Sequence, residues 1–86
     1  MGRVEDPLLS ALGGKIRELR TKQGYSQEGF ADKCGVHRTF MGTVERGESN
    51  ISFSNLAKIA AALSMTVSEV VSGIEKHARR PGEKKS

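Results

Sequence analysis

Tryptophan is absent from this chain of 86 residues, and its aromatic residues are one tyrosine and three phenylalanines. A core built with so few rings is small and aliphatic, which fits a single helical domain with little stability to spare. Cysteine occurs once, at Cys34. That excludes an internal disulfide, and no other side chain stands near it at metal-ligand spacing. Its helical spacing from Phe30 and Ala31 marks it instead as a buried thiol. No apolar run approaches the roughly 18 residues of a membrane-spanning helix, and no signal-peptide pattern opens the chain. A soluble cytoplasmic protein with no membrane partner is expected. The residues of catalysis are scattered. His37 and His77 lie on different segments without a carboxylate or thiol partner, no glycine-rich loop is built to cradle phosphate, and no carboxylates pair in a cleft. Neither an enzyme nor a metal or cofactor site is expected.

A net charge of +4 and a pI near 9.6 permit nucleic-acid binding, but the charge is unevenly placed. Between Ser26 and Asn50 stand three basic residues (Lys33, Arg38, Arg46) against four acidic ones (Glu28, Asp32, Glu45, Glu48). From Glu75 onward there are five basic and two acidic residues, so +3 of the excess falls in the C-terminal tail. A positive working surface must therefore come from the placement of a few side chains.

The stretch Ser26–Gly47 organises the chain. Ser26 is a good N-cap with Glu28 in the first turn behind it. Phe30, Ala31 and Cys34 recur at helical spacing, and Gly35 supplies the left-handed residue on which a helix stops. A second helix starts near His37 or Arg38. Phe40, Met41 and Val44 share its inner face, and Arg38, Thr39, Gly42, Thr43 and Arg46 are expected on the outer one. Two helices, a tight glycine turn and a polar outer face describe a helix-turn-helix. Gly29 and Gly42 sit at helix positions and each costs up to about 1 kcal/mol relative to alanine. Gly42 has a use if the helix must approach DNA closely.

Around this unit the spacing predicts further helices. One runs from about Leu8 or Ser10 to Lys22 with Leu12, Ile16 and Leu19 inward. Gly13-Gly14 weaken its start, and Lys15, Arg17 and Lys22 read as a solvated face. Another begins after Ser52, with Ile51 and Leu56 as a hydrophobic staple and Leu56, Ile59, Ala60 and Leu63 inward. The last begins at the capping box Thr66-Val67-Ser68-Glu69. Its apolar set Val67, Val70, Val71 and Ile74 is more than one short helix needs, which predicts a homodimer surface there; packing against the first helix is the alternative. Residues 1–9 are expected to be a flexible arm, 10–76 the folded domain, and 77–86 a disordered basic tail ended by Pro81-Gly82.

The run Ser-Gln-Glu-x-Phe-Ala-x-x-x-Gly-Val-His-Arg-Thr-Phe-Met-Gly-x-Val-Glu-Arg-Gly resembles the XRE-type helix-turn-helix family, which includes lambdoid phage repressors and restriction–modification controller proteins. The likeness extends from about Lys15 to Ile74. It implies an all-α, compact five-helix bundle of the lambda-repressor-like type, acting as a transcriptional regulator that reads the major groove of double-stranded DNA with its third helix. It implies a homodimer on a roughly palindromic operator, and an ion pair between Arg20 and Glu45. Arg38 is the foremost candidate for base reading because its fork matches guanine O6 and N7, with Thr39, Thr43 and His37 beside it. Gln27, Arg46, Asn50 and Ser26 are candidates for phosphate contacts. Many relatives carry a basic residue where Ser49 stands. Antitoxins share this fold, so a protein-interaction module that binds a partner protein is the second reading.

Overall fold

The computed structural model describes residues 6–77, which are helical throughout apart from turns. The expected arm before Asp6 and the basic tail after His77 lie outside the described residues. The helices are α1 (Pro7–Lys22), α2 (Gln27–Cys34), α3 (Arg38–Glu45), α4 (Phe53–Ala62), α5 (Val67–Val71) and α6 (Ile74–His77). The chain thus forms the expected all-α bundle, with a short α6 set off from its fifth helix.

Helix α1 begins earlier than expected, so residues 7–9 are helix rather than arm. Asp6 is its N-cap, accepting the Leu8 and Leu9 amide hydrogens at 2.9 and 3.3 Å. Pro7 then occupies the first turn, where its missing N–H costs nothing. The paired glycines do not interrupt the helix. Gly13 is buried, and a Cβ there would overlap the Val44 carbonyl oxygen and lie 2.5 Å from that of Glu45. The glycine lets α1 and α3 touch backbone to backbone. Gly14, on the next position round, meets nothing.

The helix ends share one device. Gly35 takes φ +76° after α2, with its own N–H bonded to Asp32 O and the Val36 N–H bonded to Ala31 O. This paired closure is the Schellman motif. The same pattern ends α3 at Gly47, and it ends α4 at Ser64, which carries φ 58° without being glycine. The N-caps Ser26, Ser52 and Thr66 all accept the expected backbone hydrogens, and Glu69 completes the capping box.

Ile16, Phe30, Met41, Ile59, Leu63 and Val70 are buried completely and form the centre of the core. Two expectations for the C-terminal helices need correction. Val70 is fully buried and Ile74 is only 8% exposed within the single chain, so neither offers its side chain to a partner. Gly73, at φ +81°, interrupts the helix, and α6 after it packs against α1. That turn hides Ile74, and only Val67 and Val71 remain half-buried. Lys15 also differs from the solvated residue expected. It is half-buried, and its Nζ donates to Ser72 O at 2.6 Å at the end of α5, where carbonyls favour a cation.

Adding a methyl group distinguishes the two glycines of α1. Gly13→Ala must force α3 away and is expected to lower stability by about 2–3 kcal/mol, in the range of overpacking. Gly14→Ala should raise it by up to about 1 kcal/mol. Thermal or urea unfolding of the two variants checks this, and equal effects would mean that α1 and α3 are not in backbone contact.

Candidate nucleic-acid interface

The helix-turn-helix unit is α2, the Gly35-Val36 turn and α3. Phe30, Ala31, Cys34, Met41 and Val44 seat it on the core. Burial pushes the Cys34 thiol up to about 11, against a smaller opposing pull from the Lys33 charge. The thiol is therefore an uncharged core group rather than a nucleophile. Tyr25 covers the entrance to α2, its ring 5.5 Å from that of Phe30, and accepts a 2.7 Å hydrogen bond from Lys33 Nζ.

Behind the unit lies the buried pair implied by the resemblance. Arg20 Nε donates to Glu45 Oε2 at 2.7 Å and Arg20 Nη2 to Oε1 at 2.9 Å. The side chains are only 9% and 4% exposed. Arg20 Nη1 donates to Tyr25 O at 2.9 Å, and Gln27 Nε2 donates to Glu45 Oε1 at 3.1 Å. Donating to the Glu45 carboxylate raises the Arg20 pKa more than burial lowers it. The Arg20–Glu45 pair therefore joins α1, the turn after it, α2 and α3.

The same geometry relocates several candidate residues. Gly42 is buried instead of facing outward. A Cβ on it would sit 3.2 Å from an Arg46 nitrogen and 3.4 Å from Gln27 Oε1, so the bare position makes room for both side chains. Arg46 is exposed and pairs with Glu48 through Nε at 3.1 Å. Thr43 is half-buried, and its hydroxyl is already engaged: it donates to Phe40 O at 2.7 Å and accepts from Ser49 Oγ at 2.8 Å. Ser49 thus ties the following loop to α3, a task a long basic side chain would perform less well. Ser26 Oγ accepts the Gly29 N–H at 3.0 Å as cap of α2, which leaves its own hydroxyl hydrogen to donate. Asn50 is exposed in the loop after α3.

His37, Arg38 and Thr39 form the exposed leading end of α3. His37 caps the helix, its Nδ1 accepting the Thr39 N–H at 3.2 Å. Arg17 is exposed, as expected of the solvated face it was assigned to, and it also lines an open pocket of about 260 Å³ with Arg20, Gln27, Glu45 and Arg46. Three guanidinium groups around one carboxylate give this pocket a positive balance. Only the three-residue offset from Arg20, one helical turn, signalled that Arg17 lies over the same junction.

A helix with three exposed polar residues at its start, seated by a helix crossing behind it, is a helix-turn-helix of the DNA-binding class. Comparison with known proteins agrees. The helix-turn-helix family model matches residues 16–70, and the chain belongs to this family of DNA-binding transcriptional regulators. It is 45% identical over 65 residues to the control protein C.MunI from Mycoplasma sp., covering 74% of this chain and 88% of that protein. The crystal structure of the restriction–modification controller protein C.AhdI from Aeromonas hydrophila superposes with a TM-score of 0.71 at 44% identity, over 72% of this chain and 94% of that one. A structure of the biofilm master regulator SinR in complex with DNA matches with a TM-score of 0.66 at 31% identity, over 70% and 97% of the two chains.

The buried pair makes a stability prediction. Glu45→Gln leaves the Arg20 charge without its counter-ion and is expected to cost about 3 kcal/mol. Arg20→Met combined with Glu45→Leu should recover much of that loss, because two apolar groups need no partner. An unchanged melting temperature for Glu45→Gln would mean that the pair carries no such constraint.

Proposed function

We propose that this chain is a sequence-specific transcriptional regulator of the restriction–modification controller kind, a cytoplasmic protein acting by binding and not by catalysis. The observation that carries the reading is the exposed start of α3, where His37, Arg38 and Thr39 project from a helix whose other face is locked into the core. Its controller relatives support the choice of system. Arg38 reads a guanine edge, and Thr39 adds a base-edge or thymine-methyl contact. Thr43, whose hydroxyl is spent within the chain, contributes its methyl group only. Gln27, Arg46, Asn50 and Ser26 hold the backbone in register, and Arg17 joins them through the pocket that it shares with Gln27 and Arg46. The Arg46–Glu48 pair is no obstacle, since a solvent-exposed pair is worth less than about 1 kcal/mol and yields to a phosphate.

Selection of bound sequences from a random DNA pool tests the reading directly; recovery of no preferred sequence would overturn it. On the selected site, Arg38→Ala is expected to cost about 1–3 kcal/mol and to blur one base pair per half-site. Arg46→Ala and Arg17→Ala should each weaken all sequences alike and reduce the salt slope by about one. Equal weakening of selected and random DNA by Arg38→Ala would remove it from base reading.

We also propose that the chain works as a homodimer on a roughly palindromic site, since one helix-turn-helix covers too few base pairs for useful affinity at physiological salt. The surface left for an isologous contact at this end is Val67 and Val71, the half-buried members of the C-terminal apolar set. Such a contact would place the two α3 helices about 34 Å apart, one turn of DNA. Val71→Glu should give a folded monomer with little operator affinity. Sedimentation at micromolar concentration checks this, and a monomer that binds the selected site one-to-one would exclude the dimer.

A further inference from the structure

Histidine is a rare choice for a helix N-cap, a position that favours serine, threonine, aspartate and asparagine. His37 fills it for α3 with an extended backbone, φ −72° and ψ 144°, and with its ring nitrogen in the role of the usual side-chain oxygen. Nδ1 accepts the Thr39 N–H at 3.2 Å. A ring nitrogen accepts only when it carries no hydrogen, and a neutral imidazole has one hydrogen to place. The capping bond therefore assigns that hydrogen to Nε2. The residue is exposed beside Arg38, and among the described residues Nε2 has no hydrogen-bond partner.

We propose that His37 is a donor-only reader whose tautomer is fixed by the helix it caps, and that its Nε2–H recognises a hydrogen-bond acceptor on DNA: a phosphate oxygen, or N7 or O6 of a guanine. The inference rests on the DNA-reading role of α3 and deepens it. An imidazole free to exchange tautomers can face either a donor or an acceptor, and so discriminates poorly. The capped ring cannot present an acceptor without giving up the helix end. Arg38, next in sequence, also has donors only. The leading end of α3 is thus matched to acceptor-rich DNA, and mismatched to the amino groups of adenine N6 and cytosine N4 in the major groove.

The test separates the cap from the contact. Nitrogen-15 imidazole shifts of the free protein are expected to report hydrogen on Nε2 of His37. His37→Asn keeps an acceptor for the Thr39 N–H but loses the ring donor. It should melt like the parent and bind the selected site about tenfold less tightly. His37→Ala should lose both stability and affinity. Single methylphosphonate substitutions, 7-deazaguanine (which lacks N7) and 2-aminopurine (which lacks O6) in that site then locate the acceptor. The modification that removes it should weaken the parent about tenfold and leave His37→Asn unchanged. Hydrogen on Nδ1, parent-like binding by His37→Asn, or no DNA modification coupled to His37 would each overturn the proposal. Failure of the parent to select any sequence would instead overturn the DNA reading itself, and the tautomer and melting results, obtained without DNA, would stand apart from it.

Discussion

The Arg20–Glu45 pair fixes the angle at which the reading helix leaves the core. Its guanidinium comes from α1 and its carboxylate from the last turn of α3. Apolar packing of Met41 and Val44 holds α3 down, but packing alone tolerates small rotations about the helix axis. Two parallel hydrogen bonds to a planar fork do not. A rotation that would turn Arg38 away from its proposed target breaks both bonds and strands a charge in a site only a few per cent exposed. Such a pair adds little net stability over an apolar replacement. Its effect is to make one orientation much better than its neighbours, which a reader of base edges needs.

The close approach at Gly13 serves the same junction. With the α1 backbone against the carbonyls of Val44 and Glu45, the Arg20 guanidinium, two helical turns further on, reaches Glu45 without stretching. Gln27 adds α2 to the network through the same carboxylate. A side chain nominated as a phosphate ligand is therefore also a strut. Its amide is oriented before any DNA arrives, so less ordering remains to oppose binding.

Much of this was legible in the sequence, and the reasons differ by residue. The caps Ser26, Ser52 and Thr66 and the stop at Gly35 were readable because capping is local chemistry over three or four residues. The core positions followed from helical spacing. Gly42 and Gly13 were not readable, since a buried glycine and an exposed one look alike until the neighbouring helix is in place. Ser64 gave no sign of its left-handed backbone, because the residue there is not glycine. The break at Gly73 turned Ile74 inward, and with Val70 already buried on α5 half of the apolar surplus expected at the C-terminal end is gone. His37 was recognised as a possible contact but not as a cap, since its capping atom is a nitrogen outside the usual pattern.

The uneven charge count takes on another meaning once the partners are known. By composition, residues 26–50 carry one more acid than base. Yet Glu45 is wrapped by Arg20 and Gln27, and Glu48 is paired with Arg46. Two of the four acids in this window, Glu45 and Glu48, are thus already opposed within the chain, and Arg20 and Arg17 reach the same corner from outside that window. Arg38 stands exposed at the leading end of α3, where no acidic residue occupies the first turn. On the proposed reading, a surface arranged in this way would meet phosphate at a few defined points, and discrimination would fall to the geometry of a few donors.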